Sequence, residues 1–86
     1  MAEYRVEIIR PAVREIQSLE QTQARRILAS VEALASQPRP RQSRKLTGTE
    51  NSYRLRVGAY RVLYQVDDNQ RTVTVFAIGH RRQIYR

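Results

Sequence analysis

The sequence is poor in the residues on which many small proteins depend. It contains no cysteine, one histidine, three glycines and only eight acidic residues. Without cysteine there can be no disulfide, no thiolate metal site and no cysteine nucleophile. With His80 as the single histidine, a zinc site would need carboxylates for its other ligands, and the acidic residues are too scattered to supply them. We therefore expect no bound metal and no cofactor.

The lengths of the chain and of its apolar stretches limit the class of protein. No segment approaches the roughly 18 consecutive apolar residues that a membrane-spanning helix requires. The first five residues also lack the apolar region of a secretory signal. These absences predict a cytoplasmic protein with no membrane partner. The 86 residues suit a single domain over 1–86, and its stability should be modest because so short a chain buries a limited core.

Basic residues outnumber acidic ones and are unevenly placed. Sixteen lysine and arginine residues against eight acidic residues give a net charge of +8, and Lys45 is the only lysine. Residues 1–38 carry five arginines and five glutamates, whereas residues 39–86 carry eleven basic and three acidic residues. Arginine presents a planar fork that suits phosphate and also stacks on bases. The excess in the second half therefore indicates a polyanionic partner such as a nucleic acid. The alternative is a basic surface that serves only solubility.

Hydrophobic periodicity in the first half predicts one strand and two helices. The strand is expected at Tyr4–Ile9, and a first helix begins at Pro11 with Val13, Ile16 and Leu19 on one face. A second helix is expected over Gln21–Ser36 and should end before Pro38. Its apolar stripe is predicted to comprise Ala24, Ile27, Leu28, Val31, Leu34 and Ala35.

The second half has the alternation that is typical of strands. We predict strands at Ser43–Leu46, Tyr53–Val57, Tyr60–Asp67 and Thr72–Ile78, the last one ended by Gly79 and followed by a short basic tail. Gly58 and Ala59 form a two-residue connection with glycine first, which predicts a type II′ hairpin turn. The fold class is therefore α+β, with the N-terminal strand and the helical hairpin packed on one face of a small antiparallel sheet.

Strand alternation also places three arginines together. The apolar residues of the central hairpin share one face of the sheet, so Arg54, Arg56 and Arg61 lie on the opposite face. The turn at Gly58 and Ala59 pairs Arg56 directly with Arg61. Because like charges directly opposite each other destabilise a sheet, this arrangement predicts an anionic ligand on that face.

The C-terminal residues are expected at the same end of the sheet. A four-residue turn over Asp68–Arg71 would pair Arg61 with Ile78 and put His80 on the arginine face. A shift of one residue in that pairing would send His80 to the core side instead. The predicted groove has Arg54, Arg56 and Arg61 at its floor, Arg81 and His80 at its sides, and Tyr85 above it.

Such a groove suits the cleavage of an RNA backbone. When a ribose 2′-hydroxyl attacks its own 3′-phosphate, a dianionic pentacovalent phosphate forms, and cations placed around it stabilise that charge. Proton transfer needs a group that titrates, and arginine, with a pKa above ~12, is a poor base. His80 and Tyr85 remain as candidates, although Tyr85 could instead stack on a base.

Three segments carry a resemblance to a known family. They are Arg54-Leu-Arg56, Tyr60-Arg-Val-Leu-Tyr-Gln-Val66 and Gly79-His-Arg-Arg-Gln-Ile-Tyr-Arg86. Together with the order of elements over the whole chain, they resemble the RelE/ParE toxin superfamily of toxin–antitoxin modules, and most of all the RelE-type mRNA interferases. The resemblance implies a RelE-like fold of the microbial RNase kind, ribosome-dependent cleavage of mRNA in the A site, and neutralisation by a cognate antitoxin. It also implies that operator DNA is bound only through the antitoxin.

The functional positions of the family can be carried over residue by residue. The alternating basic pair corresponds to Arg54 and Arg56, the arginine at the start of the next strand to Arg61, and the arginine of the C-terminal motif to Arg81. The tyrosine implicated in catalysis corresponds to Tyr85. Lys45 and Arg82 are further candidates for RNA contacts.

Several relatives have lysine where this chain has Arg54 and Arg56, and a lysine or another residue at the position of His80, so the proton-transfer group is left open between His80 and Tyr85. Two alternative functions also stay open. ParE-type members use the same fold to inhibit DNA gyrase and generally lack the catalytic set, and a non-catalytic RNA-binding module would use the same arginines.

For the antitoxin we expect an acidic segment, disordered on its own, that folds across the apolar and basic patches.

Overall fold

The computed structural model describes residues 3–80, which form five strands and two helices. In chain order these elements are β1 (Arg5–Ile8), α1 (Arg10–Gln17), α2 (Gln21–Ala33), β2 (Ser43–Lys45), β3 (Ser52–Val57), β4 (Tyr60–Asp67) and β5 (Thr72–His80). No helix in this range is long and apolar enough to cross a membrane.

The five strands form one sheet in the order β1-β5-β4-β3-β2. The β2–β3, β3–β4 and β4–β5 pairs are antiparallel, whereas β1 pairs with β5 in parallel. The predicted α+β class is confirmed, but the sheet is mixed rather than wholly antiparallel. The reason lies in the connection, because the helical hairpin carries the chain away after β1, so this strand is not joined to its neighbour by a tight turn.

The helices begin and end at local signals in the sequence. α1 follows the extended residue Ile9 and has Pro11 in its first turn, where a missing backbone N–H is tolerated. Its buried residues are Ala12 and Ile16, one turn apart, while Val13 is only half-buried. α2 ends at Ala33, three residues before the predicted end, and the chain then turns toward Pro38.

One hydrophobic core lies between the helices and the sheet. Its buried members from the helices are Ala12, Ile16, Ile27, Val31 and Leu34, and those from the strands are Leu55, Val57, Val62, Tyr64, Val66, Val73, Val75 and Ile78. Because all of them belong to one cluster, both helices cover the same face of the sheet. The prediction that Leu28 belongs to the buried stripe is wrong, since this side chain is 36% exposed.

The β3–β4 hairpin has the predicted register. Val57 pairs with Tyr60 and Arg56 with Arg61, so Gly58 and Ala59 are the two connecting residues. Gly58 has φ +62°, the value that the first position of a type II′ turn requires and that glycine adopts without strain.

The β4–β5 hairpin departs from the predicted register at one residue. From Asp67↔Thr72 to Tyr64↔Val75 the pairing is the one that a four-residue turn imposes. Phe76 is then an extra residue in β5, because the next pair is Leu63↔Ala77. Such a β-bulge shifts the register by one residue, and a shift of one residue exchanges the two faces for everything that follows.

Three predictions are corrected by this bulge. Ile78 pairs with Val62 rather than with Arg61, and it is buried in the core with 3% exposure. Arg61 pairs with Gly79, which continues the strand instead of ending it. His80 pairs with Tyr60, on the core side of the sheet rather than on the arginine face.

Candidate functional site

Four arginines meet on the sheet face that the helices leave uncovered, which we call the open face. Arg44 of β2 pairs with Arg54 of β3, and Arg56 of β3 pairs with Arg61 of β4. Together with Gln42 they line a concavity of about 370 Å³, which we call the arginine pocket. None of these five side chains is acidic. The sequence-based prediction that Arg54, Arg56 and Arg61 share a face is therefore confirmed.

The arginine pocket concentrates positive charge at a cost to the fold. It contains two cross-strand arginine pairs, Arg44↔Arg54 and Arg56↔Arg61. Each like-charge pair destabilises a sheet by an amount on the order of 0.2–1 kcal/mol. Arg54 and Arg61 are half-buried, and the Nη1 atom of Arg61 is fully buried. Partial removal from water strengthens the field that these guanidinium groups exert on an anion in the pocket.

Arg44 lines the arginine pocket although the sequence analysis did not single it out, whereas Lys45, a candidate for RNA contacts, does not line it. Lys45 is exposed and pairs with Tyr53, so it lies on the helix side of the sheet and does not line the arginine pocket. The sequence could not fix this register, because β2 has only three residues and the turn before β3 has no unique pairing. The signal that was available is the alternation itself, since Arg44 and Lys45 must point to opposite faces.

His80 is separated from the arginine pocket by the sheet. Its ring packs against Tyr60 in an edge-to-face contact, with 5.6 Å between the ring centroids and 72° between the ring planes. Both rings are half-buried. The predicted placement of His80 beside Arg54 and Arg56 is therefore wrong, for the reason given by the bulge at Phe76.

Three predicted site residues fall outside the described range. Arg81, Arg82 and Tyr85 follow His80 directly, and residues 3–80 are those that the structure describes. Their roles stay predictions from the sequence. Within residues 3–80, no three histidine or carboxylate side chains come together in a group that could hold a metal ion.

The chemistry of the arginine pocket fits an oxyanion with more than one charge. Guanidinium groups present fixed N–H donors in a planar fork that matches phosphate oxygens, and they keep their charge at any physiological pH. Four of them around one concavity can surround a phosphate that gains negative charge during a reaction. The lining residues are four arginines and one glutamine, so the pocket offers cations and hydrogen-bond donors.

Comparison with known proteins places the chain in a toxin family. Residues 6–85 match a protein-family model described as the ParE toxin of the type II toxin–antitoxin system parDE. Since this match covers nearly the whole chain, the protein belongs to that family and thus to the RelE/ParE toxin superfamily.

Individual relatives are of the RelE type. The chain is similar to the RelE of the archaeal RelE–RelB complex from Pyrococcus horikoshii OT3, with a TM-score of 0.83, 34% identity and coverage of 93% of this chain and 97% of that chain. It is also similar to the isolated RelE toxin of E. coli, with a TM-score of 0.78, 25% identity and coverage of 90% and 83%. Toxin RelG of Mycobacterium tuberculosis is 44% identical over 43 residues, which span 50% of this chain and 46% of that protein. The RelE-like fold is thereby confirmed.

Proposed function

We propose that this toxin is an endoribonuclease that cuts mRNA in the ribosomal A site. The observation that carries the proposal is the arginine pocket, in which four arginine side chains line one concavity on the sheet face opposite the helices and no acidic side chain joins them in the lining. A purely structural surface would gain from replacing one member of each like-charge pair. The arrangement is accounted for if the pocket receives a phosphate.

The reaction follows from what these charges can do. The 2′-oxygen of a ribose loses its proton and attacks the adjacent 3′-phosphorus, the bond from phosphorus to the next 5′-oxygen breaks, and that oxygen takes up a proton. The products are a 2′,3′-cyclic phosphate and a 5′-hydroxyl. Arg61, and Arg81 from the C-terminal motif, stabilise the dianionic pentacovalent phosphate, while Arg54 and Arg56 hold the RNA backbone. The arginines supply the positive charge, so the proposal needs no metal.

Tyr85 is the better candidate for proton transfer. His80 pairs with Tyr60 on the other side of the sheet, whereas the family position of Tyr85 is the one implicated in catalysis. Surrounding guanidinium charges favour the phenolate form of a tyrosine, which makes it a stronger base at neutral pH. Arg44 joins Arg54 and Arg56 in binding the backbone, and Lys45 and Arg82 are further contacts on the RNA.

An antitoxin and the ribosome are the proposed partners. The P. horikoshii relative was solved as a RelE–RelB complex, which supports a cognate antitoxin for this chain as well. Operator DNA would be bound only through that antitoxin. A target on translating ribosomes places the activity in the cytoplasm.

The test is a cleavage assay on programmed ribosomes. The purified protein is added to ribosomes that hold a defined mRNA, and the mRNA ends are mapped. Cuts within the A-site codon are expected from the unaltered protein, with loss of at least about 100-fold in Tyr85→Phe and Arg61→Gln. Arg25→Gln, an exposed change on α2, serves as the charge-matched control and should cut normally. Intact mRNA at stoichiometric protein would contradict the proposal.

The match to a ParE family model favours one second candidate, inhibition of DNA gyrase. The same variants separate the two functions. If gyrase is the target, Tyr85→Phe still inhibits supercoiling and still arrests growth, and no mRNA is cut. Binding of RNA that weakens steeply with salt but leaves no cut ends would instead indicate a non-catalytic RNA-binding module.

A further inference from the structure

An ion pair ties the loop between α2 and β2 to the far end of the sheet. Arg39 donates hydrogen bonds from Nη2 and Nη1 to the two carboxylate oxygens of Asp68, at 2.8 and 3.3 Å. Its Nε donates to the hydroxyl of Tyr53 at 2.8 Å. The hydroxyl of Tyr4 donates to Asp68 as well. We call these four side chains the Arg39 clamp.

The loop is held at both ends by further hydrogen bonds. Near its start, the carbonyl of Pro38 accepts a hydrogen bond from the buried Tyr64 hydroxyl at 2.7 Å. At its end, the carbonyl of Pro40 accepts from the backbone N–H and the side-chain hydroxyl of Ser43, at 2.9 and 2.7 Å. Ser43 is the first residue of β2. The position of residues 38–40 therefore fixes where β2 begins.

β2 needs such an anchor because its own pairing is weak. It has three residues and lies at the edge of the sheet, paired only with β3. Its central residue, Arg44, stands directly opposite Arg54. Repulsion within the arginine pocket pushes this edge strand outward, and three residues of ladder give little resistance.

We propose that Arg39 and Asp68 are positioning residues, whose ion pair fixes the loop and thereby holds Gln42 and Arg44 at the arginine pocket before RNA binds. That this placement of Gln42 and Arg44 serves RNA binding rests on the proposed function, whereas the placement itself is a property of the fold. A bidentate arginine–carboxylate pair within a network is the kind of exposed ion pair that retains a measurable effect. The carboxylate also stays charged, because Arg39 and the Tyr4 hydroxyl lower the pKa of Asp68.

The first test measures position alone, by backbone hydrogen exchange in the full chain. Asp68→Asn should accelerate exchange several-fold at Arg44 and Leu46, whose N–H groups face β3, while the core strand residues Val62 and Val73 keep their protection. Asp67→Asn is the matched control, since it makes the same charge change beside Asp68 but outside the clamp. Asp67 accepts a 3.0 Å bond from the N–H of Gln70, and the amide oxygen of asparagine can still accept it. Unchanged exchange at β2 in Asp68→Asn, or equal acceleration in both variants, would overturn the proposal.

The second test asks whether the clamp acts through Arg44. Binding of a non-cleavable 2′-O-methyl RNA oligonucleotide is measured for Asp68→Asn, Arg44→Gln and the double variant. Asp68→Asn should weaken binding by about 3–10-fold, the worth of one hydrogen-bonded contact. This loss is expected even though the change removes a negative charge and so makes the protein more basic. In the Arg44→Gln background, Asp68→Asn should have no further effect on binding. Equal losses in both backgrounds would overturn the proposal.

The two tests keep the proposals distinguishable. If the unaltered protein does not bind RNA, the proposed function fails, and hydrogen exchange alone decides the role of the clamp. Arg39→Gln removes the same ion pair from the other side and should repeat both results if Asp68→Asn does not fold. Thermal unfolding of each variant confirms that it is folded in the assay.

Discussion

Removing one arginine from the pocket should make the protein more stable and less active. Arg56→Gln is the most direct test, because Arg56 is exposed and stands opposite Arg61 in the observed register. Side chains in such a pair have Cβ atoms about 5 Å apart, and like charges there cost on the order of 0.2–1 kcal/mol. In a domain of this size 1 kcal/mol corresponds to roughly 4–8 °C in Tm, so we expect Tm to rise by about 1–8 °C.

The salt dependence of this gain identifies its origin. The Debye length falls from about 10 Å at 0.1 M salt to about 3 Å at 1 M salt. Repulsion between two guanidinium groups at this separation is therefore largely screened at 1 M, and the Tm difference should shrink accordingly. Arg25→Gln on α2 lowers the net charge of the chain equally without touching the arginine pocket, so it corrects for the general effect of net charge.

Activity should move in the opposite direction. A lost charge-assisted hydrogen bond to phosphate weakens RNA binding by about 10–100-fold, and the number of counterions released on binding should fall by about one. Differential scanning fluorimetry and RNA titrations at several salt concentrations give both quantities. If Arg56→Gln were no more stable than Arg25→Gln at low salt, the two arginines would not repel each other, and the inference that the pocket awaits an anion would fail.

Three further outcomes follow from the fold. Ile27 is fully buried, so Ile27→Ala should lower the free energy of unfolding by about 2–5 kcal/mol in urea titrations. Leu28→Ala, on the exposed side of α2, should lower it much less. Similar losses in the two variants would contradict the assigned helix faces. Arg71 has φ +53°, so Arg71→Gly should raise stability by roughly 0.5–1 kcal/mol, and a loss would mean that the Arg71 side chain makes a compensating contact. The pKa of Asp68 is lowered by Arg39, so the ion pair stabilises the fold above the ordinary carboxylate range and is lost as pH falls through that lowered pKa. Unfolding curves between pH 2 and 6 should show this acid loss in the unaltered protein and less of it in Asp68→Asn, and identical pH profiles would contradict it.

Where local signals agree, the sequence was sufficient to predict the structure. The bounds of β4 are those expected, Tyr60–Asp67, and the register of the β3–β4 hairpin follows from Gly58. The alternation in both strands and the two-residue turn are compatible with the same strand register, so that register could be predicted. The grouping of Arg54, Arg56 and Arg61 was predictable for the same reason.

The misplacement of His80 shows what local signals cannot supply. Residues 72–78 are all compatible with a strand, and no glycine or proline marks Phe76 as the extra residue. A bulge depends on how both faces of the sheet pack, and in this register Ile78 is buried opposite the buried Val62. The position of a bulge depends on tertiary contacts, so the alternation of residue types along β5 does not reveal it.

The position of the bulge has a consequence for the site. Without it, His80 would lie on the open face, and the branched side chain of Ile78 would stand opposite Arg61. With it, Arg61 stands opposite Gly79, which has no side chain. The one-residue shift thus adds Ile78 to the core and puts a residue without a side chain across from Arg61 on the open face. Both faces of the sheet change together, because every residue of β5 after Phe76 exchanges its face.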